Sequence, residues 1–142
     1  MAEAETIHVD IVSAEGEIFS GAAAEVFAPA SEGDIGIHPR HAPLLTLLKA
    51  GEVRVKTPDG QEQFFFVGGG ALEVQPNKVT VLADTALRAK DMDEAAAVAA
   101  KQRAEEALRD NTGKITAAEA QAELLRAMAQ LKMIERLRKL RG

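Results

Sequence analysis

The chain lacks cysteine, tryptophan and tyrosine, and only five of its 142 residues are proline. Without cysteine, disulfide bonds, thiolate metal sites and thiol nucleophiles are excluded. No apolar run approaches the roughly 20 residues that a membrane-spanning helix needs. The sequence also shows no basic and then apolar leader, so we expect a protein without an export signal. Any association with a membrane is therefore expected to come through partners.

The net charge of −5 is unevenly distributed along the chain. Residues 1–89 carry 13 acids and 6 bases, whereas residues 90–142 carry 9 acids and 11 bases. From position 126 onward one acid, Glu135, stands among six bases, which are Arg126, Lys132, Arg136, Arg138, Lys139 and Arg141. A basic tip on an acidic protein suits an acidic partner. The alternative is that these cations only complement a helix C-terminus, which needs one or two charges.

Short alternating segments predict β structure over residues 6–84. In "TIHVDIV", Ile7, Val9 and Ile11 alternate with polar residues, which is typical of a half-buried strand. Turns are predicted at "PDG" (Pro58–Gly60) and at "PN" (Pro76–Asn77). Short strands between turns predict an N-terminal antiparallel β-sandwich over residues 1–88. This region is acidic and has no interleaved basic and aromatic residues, which argues against nucleic-acid binding.

Two features of the predicted sandwich have a structural and a functional interpretation. The glycines of "GGGALEV" (Gly68–Val74) lack the Lys-Ser/Thr of a phosphate-binding loop, so they indicate a bend or bulge. The run Phe64–Phe66 places aromatic rings on both faces of a strand. Either the strand is covered on both sides by its own domain, or one face is a landing surface for a partner.

The segment after Arg88 is rich in alanine and predicts an antiparallel pair of helices over residues 89–142. We expect Asp91 to cap the first helix in a capping box with Glu94, and Asn111 and Gly113 to end it. Thr116 and Glu119 repeat the capping pattern for the second helix. Its apolar stripe is narrow and consists of Ala117, Ala120, Leu124, Ala127, Leu131 and Ile134.

An alanine-rich seam buries little apolar area, so the hairpin should be held only weakly. Alanine-rich helices also persist without tertiary support better than most. We therefore predict an arm that can adopt more than one arrangement. The alternative is a permanently packed helical cap.

The stretch "SEGDIGIHPRHAPLL" (residues 31–45) contains two of the three histidines, His38 and His41. Pro39 and Pro43 forbid a regular helix through both, and a metal would need a third ligand. A histidine-based reaction would need a nucleophile or an acid beside the ring, and no serine has a nucleophile-elbow context. We interpret the stretch as a loop with a fixed backbone shape and no catalytic role. An enzyme that uses His38 and His41 is a minor alternative.

Four segments together resemble the epsilon subunit of bacterial F-type ATP synthases. They are "DIVSAEGEIFSG", "SEGDIGIHPRHAPLLTLLKAG", "GGGALEVQPNKVTVLADTALRAKDMDEA" and the terminal helix pair, and they cover nearly the whole chain. The resemblance implies a β-sandwich that contacts the gamma subunit and the c ring on the rotor. It also implies a helical hairpin that folds against the sandwich or extends along gamma and blocks hydrolysis.

The resemblance assigns roles to particular residues. It implies a non-catalytic rotor subunit of a proton-translocating enzyme, peripheral on the cytoplasmic face of the inner membrane. The c-ring interface would be formed by Ser31, Glu32, Asp34, His38, Arg40 and His41. The inhibitory helix contacts to the beta and gamma subunits would be formed by Arg126, Lys132, Arg136, Arg138 and Lys139, and the alpha subunits are a further implied partner.

One position departs from the family pattern. Some members bind ATP through an (I/L)-D-x-x-R-A motif at the start of the first helix, and here Asp93 and Ala97 match it. Ala96 replaces the arginine, which removes a charge-assisted phosphate partner. We therefore expect no cofactor and at most a weak nucleotide site made by Asp93, Arg103 and Arg126. A stand-alone nucleotide-sensing switch is the alternative function.

Overall fold

The computed structural model describes residues 5–110 and 116–140. The chain divides into two units, Met1–Lys90 and Asp91–Gly142. This division falls two residues beyond the boundary that the sequence predicts. The segment containing Asn111 and Gly113, the predicted end of the first helix, lies outside the described residues, as does Arg141.

The first unit is a β-sandwich, and the second consists of two helices. The strands are β1 (Ile7–Ser13), β2 (Gly16–Ala23), β3 (Glu25–Ala30), β4 (Gly33–Ile37), β5 (Leu44–Lys56), β6 (Glu62–Gln75), β7 (Lys78–Ala83) and β8 (Ala86–Arg88). A 3-10 turn (Ala89–Asp91) precedes α1 (Glu94–Asp110), and α2 (Ala117–Leu140) ends the described chain. The predicted fold class, a β-sandwich followed by two helices, is confirmed.

The strands follow the order β2-β1-β7-β6-β5-β3-β4, and β8 pairs with β6. The predicted turns at Pro58–Gly60 and Pro76–Asn77 connect β5 to β6 and β6 to β7. One strand pair differs from the antiparallel prediction, because β1 runs parallel to β7. Alternation within a strand indicates its buried face but carries no information on the direction of its neighbour.

The core lies between the inward faces of the sandwich. It includes Ile7, Val9 and Ile11 of β1, which are fully buried as their alternation predicts. The other strands contribute alternating residues in the same way, and these include Val53, Val55, Phe65, Leu72, Val74, Val79 and Val81. The rings of Phe19 and Phe65 add an aromatic contact with centroids 5.4 Å apart.

The glycine run forms a bend inside β6 rather than a ligand loop. Gly69 and Gly70 have φ angles of 114° and 138°, a region that side chains disfavour. The backbone bonds Gly68 N–H to Thr85 O and Asp84 N–H to Gly69 O fasten the bend where β7 passes into β8. The predicted bend is therefore present, and β6 continues through it.

The consecutive phenylalanines of β6 point to both faces of the strand. Phe65 belongs to the core cluster, and Phe66 points to the other face of β6 because side chains alternate. Phe66 is only 1% exposed within this chain. Phe66 is not a member of the core cluster of the sandwich.

The start of α1 corrects one capping prediction. Asp91 lies in the 3-10 turn, and the carboxylate that caps α1 belongs to Asp93, whose Oδ1 accepts the Ala96 N–H at 3.1 Å. The predicted capping box of Asp91 with Glu94 is wrong, because the helix starts two residues later than its acidic lead suggests. At α2 the prediction is confirmed, since Thr116 Oγ1 accepts the Glu119 N–H at 3.0 Å.

Small side chains dominate the buried positions of the two helices. α1 packs against α2, and the buried residues are Ala97 and Ala104 on α1 and Ala120, Ala127 and Met133 on α2. The predicted stripe on α2 is therefore correct at its centre, whereas Ala117 at its start is exposed. Met133 is buried but was not part of the predicted stripe, because it lies on a different face of α2, about 100° around the helix from Ile134.

Candidate functional site

The loop that the sequence presents as one polar site is divided in two by β4. Ser31 and Glu32 form the turn between β3 and β4, and Asp34 follows at the start of β4. His38, Arg40 and His41 come after its end. The nearest members of the two groups, Asp34 and His38, are four residues apart, which is about 13 Å along an extended strand. The structure therefore does not bring the six predicted interface residues together.

The group after β4 is held by contacts within the sandwich. His38 Nε2 lies 2.9 Å from Glu25 Oε2, and Arg40 Nη2 lies 2.8 Å from Glu5 Oε1. Arg40 has a φ of 67°, and its N–H donates to the Pro76 carbonyl at 2.8 Å. This left-handed conformation is uncommon outside glycine and marks a loop whose shape is fixed by its surroundings.

The group before β4 is exposed and free of internal partners. The Ser31 N–H donates to the Leu47 carbonyl at 2.8 Å, which ties the turn to β5. Glu32 and Asp34 are exposed, and within residues 5–110 and 116–140 their carboxylates make no hydrogen bond or ion pair. Gly33 lies between them with a φ of 139° and open space around its Cβ position. This turn thus presents two uncommitted negative charges.

The two histidines of the loop do not converge on a common point. His38 contacts Glu25, whereas His41 Nδ1 lies 2.7 Å from the Ala42 carbonyl oxygen. In the part of the chain that the structure describes, no group of three or more His, Cys, Asp or Glu side chains is arranged to hold a metal. The geometry therefore gives no support to a reaction at His38 and His41.

A polar cluster that the sequence did not indicate lies on β1, β2 and β7. Asp10 Oδ1 accepts the Ser20 hydroxyl at 2.7 Å and lies 2.9 Å from His8 Nε2, while Asp10 Oδ2 lies 3.2 Å from Lys78 Nζ. The Ser20 hydrogen bond, followed by His8 and Lys78, holds the pKa of Asp10 below its ordinary value despite partial burial. His8 uses the same nitrogen towards Asp10 and Ser20, which is unlike a proton relay through both ring nitrogens.

An exposed apolar surface crosses the sandwich, and we call it the leucine row. Leu47 on β5, Ala71 on β6, Leu82 on β7 and Val12 on β1 are aligned in register. Leu47 and Leu82 are 67% and 52% exposed, and Leu45, two residues before Leu47, is 74% exposed. The sequence signal for this surface is the run "PLLTLL", which places leucine on both faces of the strand. A strand with one buried face would alternate apolar with polar residues. Neighbouring exposed leucines of this kind indicate an interaction surface.

The basic residues predicted to contact an acidic partner lie along α2. Arg126 is half-buried, Lys132 is exposed, and Lys139 forms an i, i+4 pair with Glu135 at 3.4 Å. Arg138 pairs with Glu94 of α1. Lys132, Arg136 and Lys139 share one side of the helix, because residues at i, i+4 and i+7 lie on one face.

The three residues of the predicted weak nucleotide site have separate roles in the hairpin. The Asp93 carboxylate is engaged as the α1 cap, Arg103 is exposed, and Arg126 is half-buried. For the residues described, the structure records no hydrogen bond or ion pair that joins the three. Ala96 is exposed at the position of the missing arginine.

The sequence matches two family domains in succession. Residues 6–89 match the β-sandwich domain of the ATP synthase delta/epsilon chain, and residues 90–135 match its long α-helix domain. The chain belongs to the ATP synthase delta/epsilon chain family. Membership in this family agrees with the resemblance drawn from the sequence.

Relatives and solved structures agree with this family. The ATP synthase epsilon chain of Nitrosococcus oceani is 67% identical over 96% of this chain and 98% of its own length. The epsilon chain of Alkalilimnicola ehrlichii is 63% identical over 94% and 96%. A chain in the mitochondrial ATP synthase of Euglena gracilis superposes with a TM-score of 0.71 at 17% identity, covering 90% of this chain and 79% of that one. At that identity the superposition shows the shared fold.

No helix in the described ranges has both the length and the apolar character needed to cross a membrane.

Proposed function

We propose that this chain is the non-catalytic central-stalk subunit of a proton-translocating F-type ATP synthase. It couples rotation of the c ring to the gamma subunit and restrains ATP hydrolysis through its C-terminal helices. The match of both family domains in order, over residues 6–135, carries the proposal. The chain then acts as a peripheral subunit on the cytoplasmic face of the inner membrane, and the chemistry belongs to other subunits.

The leucine row is the proposed contact with gamma. Its leucines are exposed in this chain, so a partner that covers them gains apolar burial at roughly 25 cal/mol per Å². The row lies on regular strands, which keep its shape fixed before binding. A rotor subunit needs such a rigid contact, because torque has to pass through it.

The c-ring contact is proposed for the turn that contains Ser31, Glu32 and Asp34. These side chains are exposed, and the two carboxylates have no partner in the described chain. The second half of the predicted interface is less available, because His38 and Arg40 already pair with Glu25 and Glu5. We therefore expect His38, Arg40 and His41 to shape the sandwich end or to contact a different surface.

Co-purification tests the assignment to the rotor. A tagged chain should be recovered from solubilised membranes together with an active ATPase. Glu32→Lys with Asp34→Lys should lower the recovery of c-ring subunits, and Glu106→Lys, an exposed charge reversal on α1, is the control. Absence of any ATPase from the tagged sample would refute the rotor assignment, whereas unchanged c-ring recovery would refute only the role of the turn.

The basic face of α2 is the proposed contact with acidic segments of the catalytic beta subunits and neighbouring alpha subunits. Exposed ion pairs each contribute about 0–1 kcal/mol and weaken with salt. Several such contacts are enough to shift a two-state equilibrium, because a tenfold change takes about 1.4 kcal/mol. Charge reversal at Lys132, Arg136 and Lys139 should raise ATP hydrolysis by the assembled enzyme severalfold. Hydrolysis that stays the same would contradict the inhibitory contact.

For the nucleotide question we propose that ATP is not a tightly held ligand of this chain. The reason is the alanine at position 96, where the resembled motif has a guanidinium. Because Ala96 is exposed, Ala96→Arg should fold normally and raise ATP affinity in isothermal titration of the full chain. Micromolar affinity of the unaltered chain would instead favour the nucleotide-sensing switch.

A further inference from the structure

An ion pair between described residues joins the start of α1 to the end of α2. Arg138, in the last turns of α2, donates through Nη2 to the Glu94 carboxylate in the first turn of α1. The helices are antiparallel, so the start of α1 and the end of α2 meet here. Any separation of the helices that pivots at their connection moves these ends farthest and breaks this pair completely.

The fully buried positions of the two helices contribute little apolar area to holding the hairpin closed. Four of the five buried residues of α1 and α2 are alanines, and Met133 is the exception. An alanine contact buries little area compared with leucine or phenylalanine. A charged contact between the start of α1 and the end of α2 can therefore have a measurable share in holding the hairpin closed.

Each charge of the pair also suits its own helix terminus. Glu94 lies near the positive end of the α1 dipole, and Arg138 lies near the negative end of the α2 dipole. The side chains are 51% and 64% exposed, so the contact depends on salt. The closed hairpin thus holds the two side chains close together, each near the helix end that suits its charge.

We propose that Glu94 and Arg138 form a latch that keeps the end of α2 against the start of α1. While the latch is closed, Arg138 is occupied by an acid of its own chain and is withheld from acidic partner segments. Glu94 therefore acts as an internal competitor, and release of the latch both frees α2 and exposes a cation. The exposure of Arg138 to an acidic partner rests on the proposed function, whereas the latch itself does not.

The helix pair also provides a matched control. Lys139 and Glu135 form an ion pair of similar exposure, but both residues belong to α2. This pair survives separation of the helices, so its loss should leave the hairpin equilibrium unchanged. Glu135→Gln thus removes the same charge as Glu94→Gln from an ion pair of similar exposure. The difference is that this pair lies within one helix, whereas the Glu94 pair joins two helices.

Distance measurements on the full chain test the latch. Because the chain has no cysteine, spin labels can be placed at Ala95→Cys and Leu140→Cys, both exposed, and compared by pulsed electron paramagnetic resonance. Glu94→Gln and Arg138→Gln should each raise the open fraction about two- to fivefold, and the double variant no further. Salt should open the unaltered chain but not these variants.

The swap and the control complete the distance experiment. Glu94→Arg with Arg138→Glu should restore much of the closed population, although each charge then faces the unfavourable end of its helix. Glu135→Gln should leave the distances unchanged. The latch is refuted when the Gln variants match the unaltered chain, or when Glu135→Gln opens the hairpin equally.

Hydrolysis by the assembled enzyme separates the latch from the proposed function. Glu94→Gln frees Arg138 and should lower ATP hydrolysis about two- to fivefold, whereas the swapped pair removes the cation and should not. Longer distances between the two spin labels, with unchanged ATP hydrolysis, would support the latch and overturn the inhibitory role of Arg138. Unchanged distances overturn the latch whatever hydrolysis does.

Discussion

Gly70 allows β6 to bend against β7, and a side chain cannot replace it. A Cβ at this position would lie 2.0 Å from the Leu82 carbonyl oxygen, which belongs to rigid backbone. Gly60 also has a positive φ, but its Cβ position is open. Gly70→Ala should therefore lower the free energy of unfolding by at least about 3 kcal/mol, and Gly60→Ala by about 1 kcal/mol. Urea unfolding of the full chain measures both, and equal losses would contradict this account of the bend.

Asp10 makes part of the stability of the sandwich depend on pH. Its folded pKa is depressed, first by the Ser20 hydroxyl and then by His8 and Lys78. A carboxyl group with a depressed folded pKa stabilises the fold above its unfolded pKa, and this contribution disappears as the pH falls through the folded pKa. The stability difference between the unaltered chain and Asp10→Asn should shrink as the pH falls below about 5.

Carboxyl-carbon NMR titration checks the cause of the Asp10 shift. Ser20→Ala should move the pKa of Asp10 up towards its ordinary value, and Lys78→Gln should move it by less. A Lys78→Gln effect larger than that of Ser20→Ala would show that charge rather than the hydroxyl dominates the cluster.

At the level of single helices, the caps give a direct comparison between two nearby aspartates. Asp93→Ala removes the acceptor of the Ala96 N–H and should destabilise the start of α1 by about 1 kcal/mol. Asp91→Ala should have little effect, because Asp91 belongs to the preceding 3-10 turn. Hydrogen exchange at the Ala96 amide measures the difference, which should be about fivefold. Equal exchange in the two variants would reinstate Asp91 as a cap.

The caps also show how far local patterns determine the elements. "TAAE" has one acceptor at a spacing that fits a cap, and Thr116 takes that role. "DMDE" offers two aspartates that could cap the helix. The sequence does not show which of them is the cap, because that depends on where β8 and the following 3-10 turn end. The same holds for residues 31–41, where β4 lies hidden between two polar groups. Its two glycines weaken the alternation that would have revealed a strand.

The composition predicted the division of the chain into two kinds of structure more readily than it predicted strand pairing. Alternating β segments followed by alanine-rich capped segments are local signals, and both units follow them. The parallel pairing of β1 with β7 joins residues about seventy positions apart in the chain and depends on the closed sandwich. Exposed leucines such as Leu45 and Leu47 cannot be distinguished from core residues by polarity, and only the missing alternation of "PLLTLL" marks them in the sequence.

The two units allow the rotor and inhibitory roles to be separated in one variant. The core cluster consists of residues from Ile7 to Ala86, so a chain ending at Lys90 retains the whole cluster. It should fold, as seen in a dispersed amide NMR spectrum, and should still co-purify with the membrane ATPase. ATP hydrolysis by that enzyme should rise severalfold, because the basic helix is absent.

The truncated chain also distinguishes two ways in which this account could fail. A folded sandwich that no longer co-purifies would show that docking requires the helices, which contradicts the assignment of gamma and c-ring contacts to the leucine row and the Ser31–Asp34 turn. Unchanged hydrolysis with normal assembly would leave docking intact and remove the inhibitory role of α2. Because the gamma and c-ring contacts are assigned to one unit and the restraint to the other, the two results are independent.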